Sequence, residues 1–256
     1  MGQEKLKNMS LKREIFWLIE EKYKGKIEKD SLRKDVSRLK KGEPIDYIIG
    51  WTLFLGCKID LSKKPFIPRE ETEFWVEKTI EILKKRKKKR LLCLDLFSGS
   101  GCIGIALLKH LQNVKVDFGE IEEKFLEQIE KNIRLNKIDF SRVNLIKTDV
   151  FSSIKKKYDY IFANPPYIPE KRKTLVEKSV LLFEPKKALF GGKDGLKFIK
   201  KLIFEGKKYL KKEGEMFIEI DPSNKKKIEK ISLKKGFSFS YIFDQFGKER
   251  VVWLKK

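Results

Sequence analysis

Histidine is almost missing. The 256 residues contain one, His110, and only three cysteines, Cys57, Cys93 and Cys102, with no metal-like spacing between them. That scarcity argues against a zinc site and against a disulfide framework, and reduced thiols are expected. No apolar run approaches the roughly 20 residues that cross a bilayer. There is no signal-peptide pattern, and Met1-Gly2-Gln3-Glu4-Lys5-Leu6 lacks the hydroxyl residue of a myristoylation signal. A cytoplasmic protein without a membrane partner is expected. Arginine is scarce as well, ten of the sixty basic residues. The net charge of +23 favours ribosome or nucleic-acid surroundings through a non-specific electrostatic contribution. A lysine-rich composition gives the same charge with no binding role, so charge carries little weight here.

What is present is enough apolar residue for a full core, 41% of the chain, in a length suited to one large domain with a small appendage. Residues 1–43 are expected to be a small helical unit. Leu11, Ile15, Leu18 and Ile19 share one helix face, with Phe16 and Trp17 adding bulk to a core. A second helix, capped by Asp30 or Ser31, carries Leu32, Val36 and Leu39, and Gly42-Glu43-Pro44 ends it. Residues 44–68 read as a connecting hairpin. Residues 69–256 hold the remaining, larger unit; Phe66 to Glu73 reads as a turn followed by a helix that runs to about Leu83. The acidic Glu70, Glu71 and Glu73 complement its dipole, while Arg69 and Thr72 are candidates to face a pocket. The basic run Lys84 to Arg90 is expected to be a solvated linker.

Two stretches carry chemistry. The first begins with Leu91 to Leu96, a buried strand by composition. Phe97-Ser98-Gly99-Ser100-Gly101 then turns into a helix, so backbone N–H groups can approach a polar ligand closely. The next strand, from Val114, ends at Glu120, about twenty residues after the glycines, the ribose-hydroxyl position of a Rossmann-like site. A dinucleotide and S-adenosylmethionine both satisfy that pattern. A third strand, Val143 to Lys147, ends near Asp149 and Val150, where a polar group beside backbone atoms can read an adenine edge.

The second stretch is Asn164-Pro165-Pro166-Tyr167, at the end of the apolar run Tyr158 to Ala163. Asn164 offers an amide oxygen, Pro165 a backbone carbonyl, and Pro166 has no N–H to compete for it. Two fixed acceptors can hold both hydrogens of a planar NH2 group, with the Tyr167 ring alongside. Asn-Pro-Pro also ends strands in ordinary turns, so the tetrapeptide gains weight only from its company.

That company resembles one family, the protein-(glutamine-N5) methyltransferases of the HemK/PrmC type, which modify peptide-chain release factors. The likeness runs from about Gly42 to Val252. It rests on Gly42-Glu43-Pro44 with Tyr47 to Gly50, Ile67-Pro68-Arg69 with Glu71-Thr72-Glu73, the glycine turn, Glu120, and Asn164 to Ile168. Glu184-Pro185, Gly191-Gly192 with Asp194-Gly195-Leu196, and Arg250-Val251-Val252 complete it. The resemblance implies an α/β fold: a Rossmann-like, seven-stranded class I S-adenosylmethionine-dependent methyltransferase sheet behind a small N-terminal helical substrate-recognition domain. It also implies methyl transfer from S-adenosyl-L-methionine to the glutamine of the Gly-Gly-Gln loop in release factors; a monomer is expected. Asn164, Pro165, Pro166 and Tyr167 would be catalytic. Thr72, Phe97, Ser98, Gly99, Ser100, Gly101, Glu120, Asp149, Val150 and Asn164 would bind the cofactor. Phe97 stands where the motif often has Gly, and Glu70 where it usually has Pro. The tetrapeptide occurs in adenine-N6 methyltransferases too, so an RNA or DNA adenine remains an alternative acceptor, as does a ribosomal-protein glutamine.

Overall fold

The computed structural model describes residues 2–86 and 88–256, with side chains from Leu11 onward. Lys87, in the middle of the basic run, and Met1, which opens the tested myristoylation pattern, lie outside the described residues. In chain order the helices are α1 (Gly2–Glu21), α2 (Lys29–Lys40), α3 (Ile45–Ile49), α4 (Glu70–Lys84), α5 (Cys102–His110), α6 (Glu123–Leu135), α7 (Lys178–Phe183), α8 (Lys197–Glu205) and α9 (Lys225–Lys234). The strands are β1 (Trp51–Phe54), β2 (Cys57–Asp60), β3 (Leu91–Leu96), β4 (Val114–Glu120), β5 (Val143–Lys147), β6 (Tyr158–Ala163), β7 (Leu210–Glu219), β8 (Ser238–Phe243) and β9 (Glu249–Lys255).

β3 and β6 form the centre because their residues tolerate burial on both faces. Every residue of β6 is buried, and so is every residue of β3 except Leu92. Seven strands follow the order β5-β4-β3-β6-β7-β9-β8, as the family resemblance implies. β5 through β7 run parallel, and β9 joins β7 antiparallel. From β3 the chain steps outward to β4 and β5, then returns to β6 on the other side. The order therefore reverses between β3 and β6, and the crevice beyond their carboxyl ends is where such sheets bind ligands. Helix α5 packs flat on the sheet because Gly104 has no side chain: a β-carbon there would stand 2.3 Å from the Phe118 ring.

The N-terminal helices close around a separate small cluster of Leu18, Leu39 and Ile48, with Leu11, Ile15 and Leu32 beside it. Ile48 belongs to α3, so this packing extends past residue 43. Two expectations fail here. Phe16 and Trp17 are not core residues; they are 59% and 44% exposed. The inner face of α1 is taken by Leu11, Ile15 and Leu18, and the neighbouring positions point elsewhere on a 100° wheel. Arg13 lies over the Trp17 ring at 5.0 Å. Neither Asp30 nor Ser31 caps α2, which starts at Lys29 with Glu28 at the cap position and no side-chain cap bond. Ser31 instead donates to Glu28 Oε2 at 2.6 Å.

The described part of the basic run is surface-exposed, with Arg86 paired to Glu215 and Lys88 to Asp159. The β1–β2 hairpin is tied to the main sheet through α6. Asn132 accepts from the Asp60 amide at 2.7 Å and donates to the Ser100 carbonyl at 2.9 Å, so one buried side chain joins the hairpin to the glycine turn.

Candidate active site

A cavity of about 460 Å³ opens at the carboxyl ends of β3, β4 and β6. That volume suits a small-molecule cofactor with part of an acceptor group. Thr72, Phe97, Ser98, Gly99, Ser100, Glu120 and all of Asn164 to Tyr167 lie on its wall. Gly101, Asp149 and Val150 do not. Gly101 caps α5 in a left-handed conformation and backs onto Ile129. Asp149 is exposed near Lys201, and Val150 is buried in the core.

Glu120 sits at the tip of β4, 7% exposed. Its Oε2 accepts from the Gly99 amide at 2.8 Å, and Oε1 from the Ile121 and Glu122 amides at 2.8 and 3.0 Å. Burial raises its pKa, and the three N–H donors hold the rise in check. A carboxylate has about four lone-pair sites, so with three N–H donors bound Glu120 keeps one acceptor site for a hydroxyl in the cavity. The glycine turn it anchors contains a surprise: Phe97 has φ of 59°. A left-handed residue with a side chain costs roughly 1–2 kcal/mol, which explains why glycine is common there. The Phe97 ring meets Phe198 edge-on at 5.4 Å, an aromatic contact that offsets part of this cost.

The tetrapeptide is braced from two sides. Ile168 bridges to Phe190, with the Ile168 amide donating to Leu189 and the Gly191 amide to Ile168. On the other side lies Glu219, at the end of β7 and only 3% exposed. Its Oε2 accepts from Thr72 Oγ1 at 2.7 Å and Trp75 Nε1 at 2.8 Å, and its Oε1 from the Tyr167 hydroxyl at 3.0 Å. Asn164 Nδ2 donates to Thr72 Oγ1 at 3.3 Å. Burial raises the Glu219 pKa against the pull of these donors and of Arg250. Burial, with the Glu219 charge behind it, also pushes the Tyr167 phenol well above its ordinary range, so the ring stays neutral.

Arg69 lies at the cavity wall, stacked 4.6 Å from the Phe66 ring centre and ion-paired with the buried Glu184, which also accepts from the Ile67 amide at 3.2 Å. Lys187, on the same wall, reaches Glu122 at 2.6 Å and so links the segment after α7 to the tip of β4. Sequence reasoning did not single out Glu219, Trp75 or a bond between Arg69 and Glu184. The available signal was a charged residue inside an apolar strand: Glu219 follows Met216-Phe217-Ile218 and has to find donors. Among the described residues no group of three or more His, Cys, Asp or Glu could hold a metal. No described helix is long and apolar enough to cross a membrane.

Comparison with known proteins gives these features a lineage. Residues 77–193 match the methyltransferase small domain family. Over 228 residues the chain is 34% identical to a release factor glutamine methyltransferase of Thermodesulfovibrio yellowstonii, covering 88% of this chain and 81% of that protein. A release factor glutamine methyltransferase of Borreliella burgdorferi is 34% identical over 231 residues, 90% of this chain and 79% of the relative. A methyltransferase structure from Pyrococcus furiosus shares the fold, with a TM-score of 0.57 at 21% identity over 88% of this chain and 98% of that one. With identity sustained along four fifths of curated relatives, this chain belongs to the release factor glutamine methyltransferase family.

Proposed function

We propose that the cavity binds S-adenosyl-L-methionine and that the enzyme methylates the side-chain nitrogen of the glutamine in the Gly-Gly-Gln loop of a peptide-chain release factor. The observation that carries this reading is the shared wall. An acceptor-rich tetrapeptide stands beside a glycine turn anchored on a buried carboxylate, in a chain of this family. The residues fit the cofactor: Glu120 has an acceptor site left for a ribose hydroxyl, and the turn from Phe97 to Ser100 lets backbone approach closely. When bound, S-adenosylmethionine supplies an electrophilic methyl group.

The chain's own residues supply position. A carboxamide nitrogen is a poor nucleophile because its lone pair is delocalised. Asn164 Oδ1 and the Pro165 carbonyl accept its two hydrogens, which raises electron density on nitrogen and aims it. The Tyr167 ring offers a π-face to the positive charge that develops there. Fixed acceptors of this kind lower the barrier mainly through orientation and preorganised dipoles. Thr72 lies near the methionine end of the cofactor in this reading.

Residues 1–43 serve as the substrate-recognition domain, 44–68 as its connection and 69–256 as the catalytic unit. Exposed Phe16 and Trp17 give the first of these an apolar surface to offer a protein. The enzyme acts in the cytoplasm as a monomer, and its basic surface makes at most non-specific contact with ribosome or nucleic acid. The relatives are named for glutamine, which sets the adenine alternative aside.

The test is transfer of radiolabelled methyl from S-adenosylmethionine to three acceptors in parallel. These are an unmethylated release factor, the same factor with its loop glutamine changed to alanine, and total RNA. Label in the first alone is expected. Label in RNA and none in the release factor would overturn the reading.

A further inference from the structure

The Asn164 amide has two faces, and only one suits a glutamine. Oxygen toward the cavity accepts an N–H; nitrogen toward the cavity donates one, and would favour a carboxylate or the wrong end of the acceptor amide. Glu219 decides between them. Trp75 Nε1 can only donate, so Glu219 Oε2 is an acceptor, and its bond with Thr72 Oγ1, 2.7 Å long, commits the threonine proton to Glu219. Thr72 Oγ1 then has only lone pairs left for Asn164. The atom of Asn164 that lies 3.3 Å away must therefore be the donor, Nδ2. Oδ1 is left as the acceptor for whatever enters the cavity. Trp75 and the Tyr167 hydroxyl hold the same carboxylate in place, so it cannot turn away from Thr72.

We infer that Glu219 and Thr72 are positioning residues that lock the Asn164 amide oxygen toward the acceptor, and thereby make the site select glutamine over glutamate. The selection rests on the glutamine reading above. A glutamate side chain would bring a carboxylate against two oxygen acceptors, Asn164 Oδ1 and the Pro165 carbonyl. Leaving a buried polar group so opposed is what gives hydrogen-bonding sites their large discrimination. Without the Thr72 hydroxyl, the Asn164 amide is free to invert, and the penalty against glutamate falls.

Two kinds of measurement decide it. The first compares wild type with Thr72→Val and Thr72→Ser. It reads kcat and KM for the unmethylated release factor, and inhibition by the same factor with its loop glutamine changed to glutamate. Thr72→Val is expected to lose about tenfold or more in kcat and to bind the glutamate competitor about tenfold more tightly, the effect of one misdirected buried hydrogen bond. Thr72→Ser keeps the hydroxyl and should stay within about threefold of wild type on both counts. Simple loss of packing would lower turnover but would not tighten binding of the glutamate protein. A Thr72→Val enzyme with wild-type kcat and unchanged preference overturns the inference.

The second measurement needs neither variant nor substrate. In wild-type protein with 15N-labelled asparagine, one Asn164 amide proton should show a nuclear Overhauser contact to the Thr72 side chain and slowed exchange. An Asn164 amide with no such contact overturns the inference even if Thr72→Val does not fold. Absence of any methyl transfer by the wild-type enzyme to the release factor would instead count against the glutamine reading, with the amide orientation still read by NMR.

Discussion

Gly191 lies so close to Pro166 that a β-carbon on it would stand 2.4 Å from the Pro166 carbonyl oxygen. Gly195 stands in the same relation to Tyr167, 2.2 Å from its carbonyl, and holds φ at 75°. The two glycines let the segment before α8 seat directly on the tetrapeptide backbone. They turn the Gly-Gly-Lys-Asp-Gly-Leu stretch into a mould for Asn164 to Tyr167. Both obstacles at Gly191 are backbone, the Pro166 and Gly195 carbonyls, so neither can swing aside. Gly191→Ala should therefore displace the tetrapeptide. Overpacking of this kind costs about 1–3 kcal/mol, or roughly 2–12 °C in Tm for a chain of this size. Turnover assayed well below that Tm should fall further than the stability loss explains. A folded Gly191→Ala enzyme with wild-type turnover would show that the mould does not matter.

Asn164→Ala removes one of the two acceptors and leaves Glu120 and the glycine turn untouched. By analogy with loss of one preorganised hydrogen-bonding group, kcat should fall about 100-fold or more. Binding of S-adenosylhomocysteine, followed by calorimetry, should stay within about threefold, because a factor of three is well under 1 kcal/mol. Near-normal turnover in this variant would remove the amide-clamp mechanism.

Glu120→Ala should have the opposite signature. It takes away the ribose acceptor and also frees the Gly99, Ile121 and Glu122 amides that the carboxylate now holds. Cofactor affinity should drop about 10- to 100-fold, the loss of about 1.4–2.7 kcal/mol of hydrogen bonding to a charged group. KM for the release factor should change little. Titration of cofactor against the variant checks this, and unaltered affinity would move the ribose site elsewhere on the cavity wall.

Much of this architecture could be read from the residues. Leu91 to Leu96 and Tyr158 to Ala163 are apolar on both faces apart from one aspartate each, Asp95 and Asp159, the pattern of strands covered on both sides, and both are central. The turn between them and Glu120 follows from glycine geometry and strand length. The acidic first turn of α4 was legible as a dipole effect, but its Glu73 also accepts from the Leu55 amide, a contact 18 residues away that no local pattern signals. Phe16 and Trp17 stay exposed for a related reason: helical spacing identifies a face, and aromatic bulk beside that face is not thereby buried. Glu219 was hidden because a strand pattern does not say which donors converge on its last carboxylate. The strand end at Asp149 and Val150 and the resemblance both point to the adenine edge, yet neither residue lies on the cavity wall, because a strand's end does not say which way the turn after it runs.

Asp95 offers a test of how the site's foundation is stabilised. It is 1% exposed at the end of β3; one oxygen accepts from the Gly104 amide at 3.0 Å and the other, Oδ1, has no partner. Burial pushes its pKa from 3.8 up to about 7, the Gly104 bond pulls it down, and the nearby Glu120 charge adds to the rise. The folded state therefore holds this proton more tightly than the unfolded chain does. The resulting contribution to stability is complete below about pH 4 and is lost as pH rises through about 7. Asparagine mimics the neutral acid at every pH. The stability of Asp95→Asn minus that of wild type should grow from about pH 4 to pH 7 and then level off. The total change should be roughly 4 kcal/mol, from a rise of about three pKa units at about 1.4 kcal/mol each. Calorimetric scans of both proteins at pH 5 and pH 8 would reveal it. A difference that is the same at both pH values would mean that Asp95 is ionised throughout, with a donor on Oδ1 supplied from solvent.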